Sequence, residues 1–354
     1  MTTTDRSDAL AERLFTSTLG ALELHSVYLG SELGLYAALE LHGPLTPGEL
    51  AERSAIAPRY AVEWLEQQAV AGLLEADTGE PRRYRLPSDH ARVLAHPDDP
   101  AHVAPFAHML AGIGAVIDSV AAAYRTGDGV PYASYGAAFR HGQGHINRPA
   151  FTHELPTDWL AAMPDVVARL EAAARPHVAD VGCGQGWSTL AVARAFPNAW
   201  VDGIDLDPGS VSDARRHAAD TGLDGRVRFI EAGAAELEGP YDLILILEAL
   251  HDMAHPVDAL RAARAALAPG GTVLVVDERV ADAFTAPGDE VERMMYGWSV
   301  THCLPTQLAE QPSAALGTVM RSHTVRDLAD EAGYTRVDVL GVDNDFFRLY
   351  RLHP

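Results

Sequence analysis

The residues best equipped for chemistry fall in a few short runs. Asp180-Val181-Gly182-Cys183-Gly184-Gln185-Gly186 sets three glycines at alternate positions. Glycines let a backbone approach a ligand closely, and a helix N-terminus just beyond them offers free N–H groups to a carboxylate or phosphate. Asp205 follows Gly186 by 19 positions, at the end of the next apolar run. A carboxylate there accepts hydrogen bonds from two ribose hydroxyls. A third run, Glu248-Ala249-Leu250-His251-Asp252-Met253, directly follows an apolar stretch. A neutral imidazole in such a place is suited to removing a proton near pH 7. Fifty-one positions later, Ser299-Val300-Thr301-His302-Cys303-Leu304 supplies a second histidine.

These groups need a scaffold, and residues 176–354 predict one by alternating strand and helix. Strands are expected at 176–181, 200–204, 227–231, 241–247 and 271–277, and helices at 187–196, 211–219, 257–267 and 324–331. The stretch 241–247 is almost wholly apolar, as a central parallel strand should be. Strands at 336–342 and 346–352 are separated only by Asp343-Asn344-Asp345, which implies a closing antiparallel hairpin. Residues 280–320 form an insertion. The fold class is therefore α/β, with a catalytic domain over 176–354. The glycine loop and His251 lie at carboxyl ends of strands, where sheets of this class bind ligands.

Upstream, residues 1–100 read as a separate helical module. Apolar residues recur at helical spacing over 9–40. Thr46-Pro47 with Glu49 starts a short helix, residues 57–75 form the next, and 83–86 form a strand after a turn. Helix, turn, helix, hairpin is the winged-helix order, and the apolar first helix is a candidate dimer seam. Residues 101–175 are a helical linker and covering region, with a buried helix at 101–124, a turn-rich stretch at 131–156 and a further helix at 160–174.

Bulk composition excludes several functions. The 354 residues suffice for two cored domains, with 47% apolar and 21% charged residues. Net charge is -22, and all 27 cations are Arg; Lys is absent. That removes lysine Schiff bases and Walker-type phosphate binding. Residues 1–100 carry 8 Arg against 16 Asp and Glu, so the winged helix is not expected to bind nucleic acid, which needs a basic face. No signal peptide and no uninterrupted apolar stretch of about 18 residues is evident, so neither secretion nor a membrane partner is expected. Cys183 and Cys303 stand 120 positions apart, which suits a reducing, cytoplasmic location.

The glycine pattern is Gly-x-Gly-x-Gly, lies late in the chain and precedes a closing hairpin. It resembles the first motif of class I S-adenosylmethionine-dependent methyltransferases, and Val201-Asp202-Gly203-Ile204-Asp205 resembles their second. The resemblance implies a Rossmann-like methyltransferase domain, a seven-stranded sheet with an antiparallel last hairpin, preceded by a helical winged-helix dimerisation domain. It implies S-adenosylmethionine as cofactor, bound by Asp180, Gly182, Gly184, Gly186, Asp205, Leu206, Gly233, Ala234 and Leu247. Gly233-Ala234-Ala235 lacks the Asp that often follows this glycine, so adenine contact there falls to backbone groups.

Leu250-His251-Asp252 resembles the winged-helix O-methyltransferases, whose histidine at this position removes a hydroxyl proton. With Ile146-Asn147-Arg148-Pro149, Leu316-Gly317-Thr318-Val319 and His302, most of the chain is similar to a bacterial family of winged-helix small-molecule methyltransferases. That family includes the metal-dependent α-keto acid C-methyltransferases of peptide-antibiotic pathways. The resemblance implies a metal, zinc or iron, on His251 and His302, chelating a 2-oxo acid for β-carbon methylation; Asp252 is a candidate third ligand or, alternatively, a partner that orients His251. Three roles stay open for the pair: metal site, metal-free general base at His251, or structure. Cys303, in a segment read as extended, should point away from the face that His302 uses. Arg140, His145 and Arg148 are candidates to hold a substrate carboxylate, and Tyr296 and Trp298 to line an apolar wall; each has a plain structural alternative. The rival activities are O-methylation of a small aromatic hydroxyl and, from another class, a ligand-sensing winged-helix regulator. A homodimer acting on a small carboxylate-bearing molecule is expected.

Overall fold

The computed structural model describes residues 3–354. The chain divides into two compact units: one runs up to Gly114 and takes in Ala138–Pro149, the other joins Ala115–Ala137 to Ala150–Pro354. The first unit begins with α1 (Thr3–Glu32) and α2 (Leu35–His42). The apolar periodicity over 9–40 runs through both, but the chain turns at Leu33-Gly34, where Gly34 has a φ of 67°. That left-handed conformation is cheap only for glycine, so the long predicted segment becomes two helices.

Next come α3 (Pro47–Arg53) and α4 (Pro58–Val70), then the hairpin β1 (Glu75–Ala76) and β2 (Tyr84–Arg85), and α5 (Ser88–Leu94). Thr46 caps α3 as expected, and together with Glu49 it forms a capping box. Leu35, Leu39, Leu50, Trp64, Leu65 and Tyr84 pack into one core between these pieces. In α1, by contrast, Leu10, Leu14, Phe15, Leu19 and Leu22 are all exposed.

Helix α6 (Pro105–Thr126) matches the helix predicted at 101–124. By length and composition it is apolar enough to cross a membrane, with a mean hydropathy of 1.6 over its most apolar stretch. Asp118 breaks the run, which is why an uninterrupted-stretch criterion overlooked it. Its residues Ala107, Met109, Ile113, Val116 and Val120 are buried, the one-sided pattern of a packed helix.

The turn-rich reading of 131–156 is corrected: most of it is α7 (Gly136–Glu154), a 19-residue helix with Pro149 inside it. The glycines act as spacers rather than turns. A Cβ on Gly142 would stand 2.7 Å from the Met109 backbone N and the Pro105 carbonyl of α6. After a wide helical turn at Leu155–Trp159, α8 (Pro164–Ala172) completes the connection.

The second unit continues as β3 (His177–Val181), α9 (Trp187–Ala195), β4 (Trp200–Asp205), α10 (Pro208–Thr221), β5 (Val227–Glu231), β6 (Tyr241–Leu247), α11 (Pro256–Ala265) and β7 (Leu267–Glu278). The insertion carries α12 (Glu290–Trp298) and α13 (Leu304–Leu308), and α14 (Ser322–Glu331), β8 (Arg336–Val339) and β9 (Phe347–His353) close the chain. The seven strands lie in the order β5-β4-β3-β6-β7-β9-β8. The first five are parallel, while β9 runs antiparallel between β7 and β8. Helices on both faces bury β6 almost completely, and each buried Leu or Ile contributes about 1.5–3 kcal/mol. Chain order reverses direction between β3 and β6, and the crevice of such a sheet opens beyond the carboxyl ends of those two strands.

Candidate functional site

β3 delivers the glycine loop to that crevice. Gly182, Gly184 and Gly186 all have positive φ, at 76°, 51° and 81°. A Cβ on Gly182 would also meet the Ala249 Cβ at 2.5 Å, so the loop after β3 and the loop after β6 touch only because the residue is glycine. Asp205, at the end of β4, accepts hydrogen bonds from the backbone N–H groups of Gly184 and Asp207, both at 2.8 Å. Desolvation pushes its carboxyl up to about 6, against the effect of those two hydrogen bonds.

The other residues expected at the cofactor fall into two groups. Leu206 is exposed beside Asp205, and Gly233-Ala234 opens a short turn after β5 in which the Gly233 N–H donates to Glu236. Asp180 and Leu247 point inward instead. Asp180 is 1% exposed and accepts 2.6 Å hydrogen bonds from the Ser188 and Thr189 hydroxyls. It anchors the first turn of α9 and thereby the loop. The Leu247 side chain belongs to the core beneath the sheet. Cys183 is buried, and burial raises its thiol well above the ordinary range, so it is no reactive thiolate.

β6 ends at Glu248, whose φ of 54° is a strained value for a residue with a side chain. The chain then makes a tight turn, Leu250–Asp252, that holds His251 at 4% exposure. Its Nδ1 lies 2.8 Å from Asp277 Oδ1 and 3.2 Å from Glu278 Oε2, both at the end of β7. Its Nε2 lies 3.4 Å from Asp252 Oδ1. Burial opposes a charge on the imidazole, but Glu278, Asp277 and Asp252 together outweigh it and hold the pKa well above the usual value. Burial, reinforced by Asp277, pushes the Glu248 carboxyl up to about 8. Four carboxyl groups thus surround one imidazole: burial holds Glu248 and Glu278 toward the protonated form, while His251 outweighs burial at Asp277 and keeps it toward the ionised one. This donor set is matched to a positive charge, either a ring proton or a bound cation.

His302 comes from the insertion and is 2% exposed. Tyr135 meets its ring edge-on at 4.7 Å and Tyr132 at 5.8 Å, and the Tyr135 hydroxyl donates to the Thr301 carbonyl at 2.9 Å. Burial lowers its pKa to about 4, with Asp252 and His251 adding opposing effects. The segment Ser299–Cys303 is a wide helical turn, not an extended strand. That corrects the expectation for Cys303. In the helical turn its sulfur comes within 4.8 Å of donor atoms on both His251 and Asp252, a group that does not include His302.

The insertion is braced to the His251 turn by Gln307 of α13. Its amide donates to the His251 carbonyl, and its Oε1 accepts from the Gly317 N–H at 3.0 Å. Asp277, Glu278 and Gln307 are not site members on the sequence reading, and Cys303 is set aside there as pointing away from His302. Only Asp277 and Glu278 carried a signal, as acidic residues ending a strand next to β6.

Of the expected substrate residues, Tyr296 is 38% exposed on α12, while Trp298 is partly buried. Arg140, His145 and Arg148 lie on α7 in the first unit. There Arg148 forks onto Asp98 at 2.7 and 2.9 Å, and His145 stacks on His141 at 3.9 Å. Arg148 is engaged with a carboxylate of its own unit, which speaks for its structural alternative.

Comparison with known proteins agrees with this geometry. Residues 178–271 match the methyltransferase domain family, and residues 20–96 match the Rv2258c-like winged HTH domain. A ubiquinone biosynthesis O-methyltransferase of Xanthomonas campestris is 38% identical over 113 residues, 31% of this chain and 46% of that protein. A trans-aconitate 2-methyltransferase of Methylobacterium nodulans is 34% identical over 135 residues, 38% of this chain and 49% of that protein. The chain thus spans about half the length of the curated relatives it matches.

Among solved structures, a mitomycin 7-O-methyltransferase superposes with a TM-score of 0.68 at 20% identity, covering 99% of this chain and 100% of that one. Human N-acetylserotonin methyltransferase, in complex with SAM, gives 0.70 at 18% identity, with 97% of each chain covered. The chain is therefore built as an N-terminal winged-helix domain followed by a methyltransferase domain of the class I, Rossmann-like fold.

Proposed function

We propose that this protein transfers a methyl group from S-adenosylmethionine to a small carboxylate-bearing acceptor, with His251 at the reacting centre. The observation that carries this reading is adjacency: β3 pairs in parallel with β6, so the glycine loop and the His251 turn leave neighbouring strand ends. The crevice fits the donor, since three left-handed glycines clear its floor and Asp205 keeps acceptor lone pairs for ribose hydroxyls. The sulfonium supplies an electrophilic methyl; the acceptor atom bonds to it as the S–C bond breaks, leaving the neutral thioether.

For the acceptor we favour a 2-oxo acid methylated at its β-carbon. The residues around His251 fit a metal ion: Asp252 faces Nε2, His302 is buried on the insertion close enough for His251 and Asp252 to act on its charge, and Asp252 and Cys303 offer further donor atoms. A dication bound there supplies Lewis-acid polarisation of a chelating 2-oxo acid, which acidifies its β-carbon. The chain's own residues do the positioning. Asp277 fixes the imidazole so that Nε2 faces Asp252, Tyr135 wedges His302, and Gln307 holds the two loops together.

A second reading, O-methylation of an aromatic hydroxyl, is favoured by the 2.8 Å His251–Asp277 pair, the arrangement of a general base with an orienting acid. Dialysis against a chelator separates the two. If the acceptor is a chelated 2-oxo acid, product formation is lost and returns with zinc or iron. Unchanged turnover after metal removal rejects the 2-oxo acid route and leaves the His251 base. The exposed apolar face of α1 supports association of two copies of the chain.

A further inference from the structure

We propose that Cys303 is a metal ligand: a divalent ion sits on the Nε2 side of His251, held by that nitrogen, an Asp252 oxygen and the Cys303 thiolate. The inference rests on the metal reading above and gives Cys303 the place that sequence allotted to His302.

The side of the ring follows from the hydrogen bonds. His251 Nδ1 is engaged by Asp277 at 2.8 Å, with Glu278 at 3.2 Å. A metal-binding histidine characteristically donates its second ring N–H to a carboxylate, which directs the other nitrogen at the ion. His251 with Asp277 and Glu278 is the rival trio of donors, but it would use the nitrogen that already makes this bond.

On the Nε2 side, Asp252 Oδ1 is 3.4 Å away, buried and without a hydrogen-bond partner. The edges of a tetrahedral site with metal–nitrogen and metal–oxygen bonds of about 2.0–2.2 Å are about 3.3–3.6 Å. The two atoms therefore already stand at the separation one ion requires. The sulfur of Cys303 completes the group: one ring nitrogen of His251, one oxygen of Asp252 and this sulfur all lie within 4.8 Å of one another. Cys303 ends the wide helical turn Ser299–Cys303 and is buried there.

His302 then acts on the sulfur. Its Nδ1 lies 3.5 Å from Cys303 Sγ, a hydrogen-bonding distance for sulfur, and in the tautomer that carries the proton on Nδ1 this N–H supports the thiolate. Binding releases the thiol proton to solvent as the sulfur–metal bond forms. Three protein ligands leave one position open for an acceptor, as a reactive zinc-type site requires. A set of one imidazole, one carboxylate and one thiolate is borderline-soft and suits zinc over magnesium or calcium.

The test is cobalt titration of the full chain after chelator dialysis, read by absorbance. The proposal expects one Co2+ per chain with a near-ultraviolet thiolate-to-cobalt band. Cys303→Ser and Cys303→Ala should lose that band and bind Co2+ at least tenfold more weakly, while S-adenosylhomocysteine affinity stays unchanged. Mass spectrometry of wild-type protein treated with an alkylating agent gives a readout that needs no variant: bound zinc should protect Cys303. Cobalt binding without the band, insensitive to Cys303→Ser and abolished by His302→Ala, overturns the thiolate ligand and leaves the metal reading standing. No cobalt bound by wild-type protein that still binds S-adenosylhomocysteine overturns both.

Discussion

At the scale of single residues, the site depends on hydrogen bonds that orient rather than contact. Asp277 holds the His251 ring from a fully buried position. Asp277→Asn keeps the shape but weakens the charge-assisted bond. Turnover should fall by about 10–100-fold, with S-adenosylhomocysteine affinity unchanged by calorimetry; an equal loss of both would mean that Asp277 only supports the fold. Asp205 makes a pH prediction. Its folded pKa of about 6 lies above the ordinary carboxylate value, and the ionised form is the better acceptor for ribose hydroxyls. Donor affinity should therefore hold above pH 6 and decline as pH falls through that value. Asp205→Asn should remove the step and weaken binding by about 10–100-fold. A wild-type affinity flat from pH 5 to 8 would contradict the assignment.

At the scale of elements, the two loops that form the crevice are fitted to each other. Gly182→Ala places a methyl 2.5 Å from the Ala249 Cβ on a backbone with a φ of 76°. It should destabilise the protein by about 1–3 kcal/mol and weaken donor binding more than tenfold, measured by thermal unfolding and calorimetry. Donor affinity at the wild-type level would show that the loops separate freely. Which elements were legible follows from where their signals lie. β3 to β7 show apolar runs bounded by Gly, Pro and Asp, and the closing hairpin has its own turn. α7 was misread because Gly142, Gly144 and Pro149 look like turn residues. The reason for Gly142 is the backbone of α6, which is distant in sequence.

At the scale of the whole molecule, α1 carries a row of exposed apolar side chains, with Leu14 57%, Phe15 65% and Leu22 60% exposed. A monomer seldom leaves such a stripe in water. Leu14→Glu combined with Leu22→Glu should halve the mass measured by light scattering and leave the unfolding of the methyltransferase domain unchanged. A monomeric wild type would remove the dimer from the proposal. The net charge of -22 bears on partners as well: it disfavours polyanions and leaves arginine as the only permanently cationic side chain for acceptor carboxylates.

Sequence alone was enough for the alternating strands and helices of the second unit outside its insertion, for the glycine crevice with Asp205, and for His251 at a strand end. Those features are written in periodicity and turn chemistry over a few neighbouring residues, so no knowledge of the fold is needed to read them. The surroundings of His251 come instead from contacts between distant segments. Asp277 reaches it because β7 pairs with β6 in register, with Leu247 opposite Val276. Cys303 reaches it from a wide helical turn in the insertion, and Arg148 is engaged by Asp98. Each of these depends on strand pairing or local pitch, which bring together side chains that no short window of sequence contains.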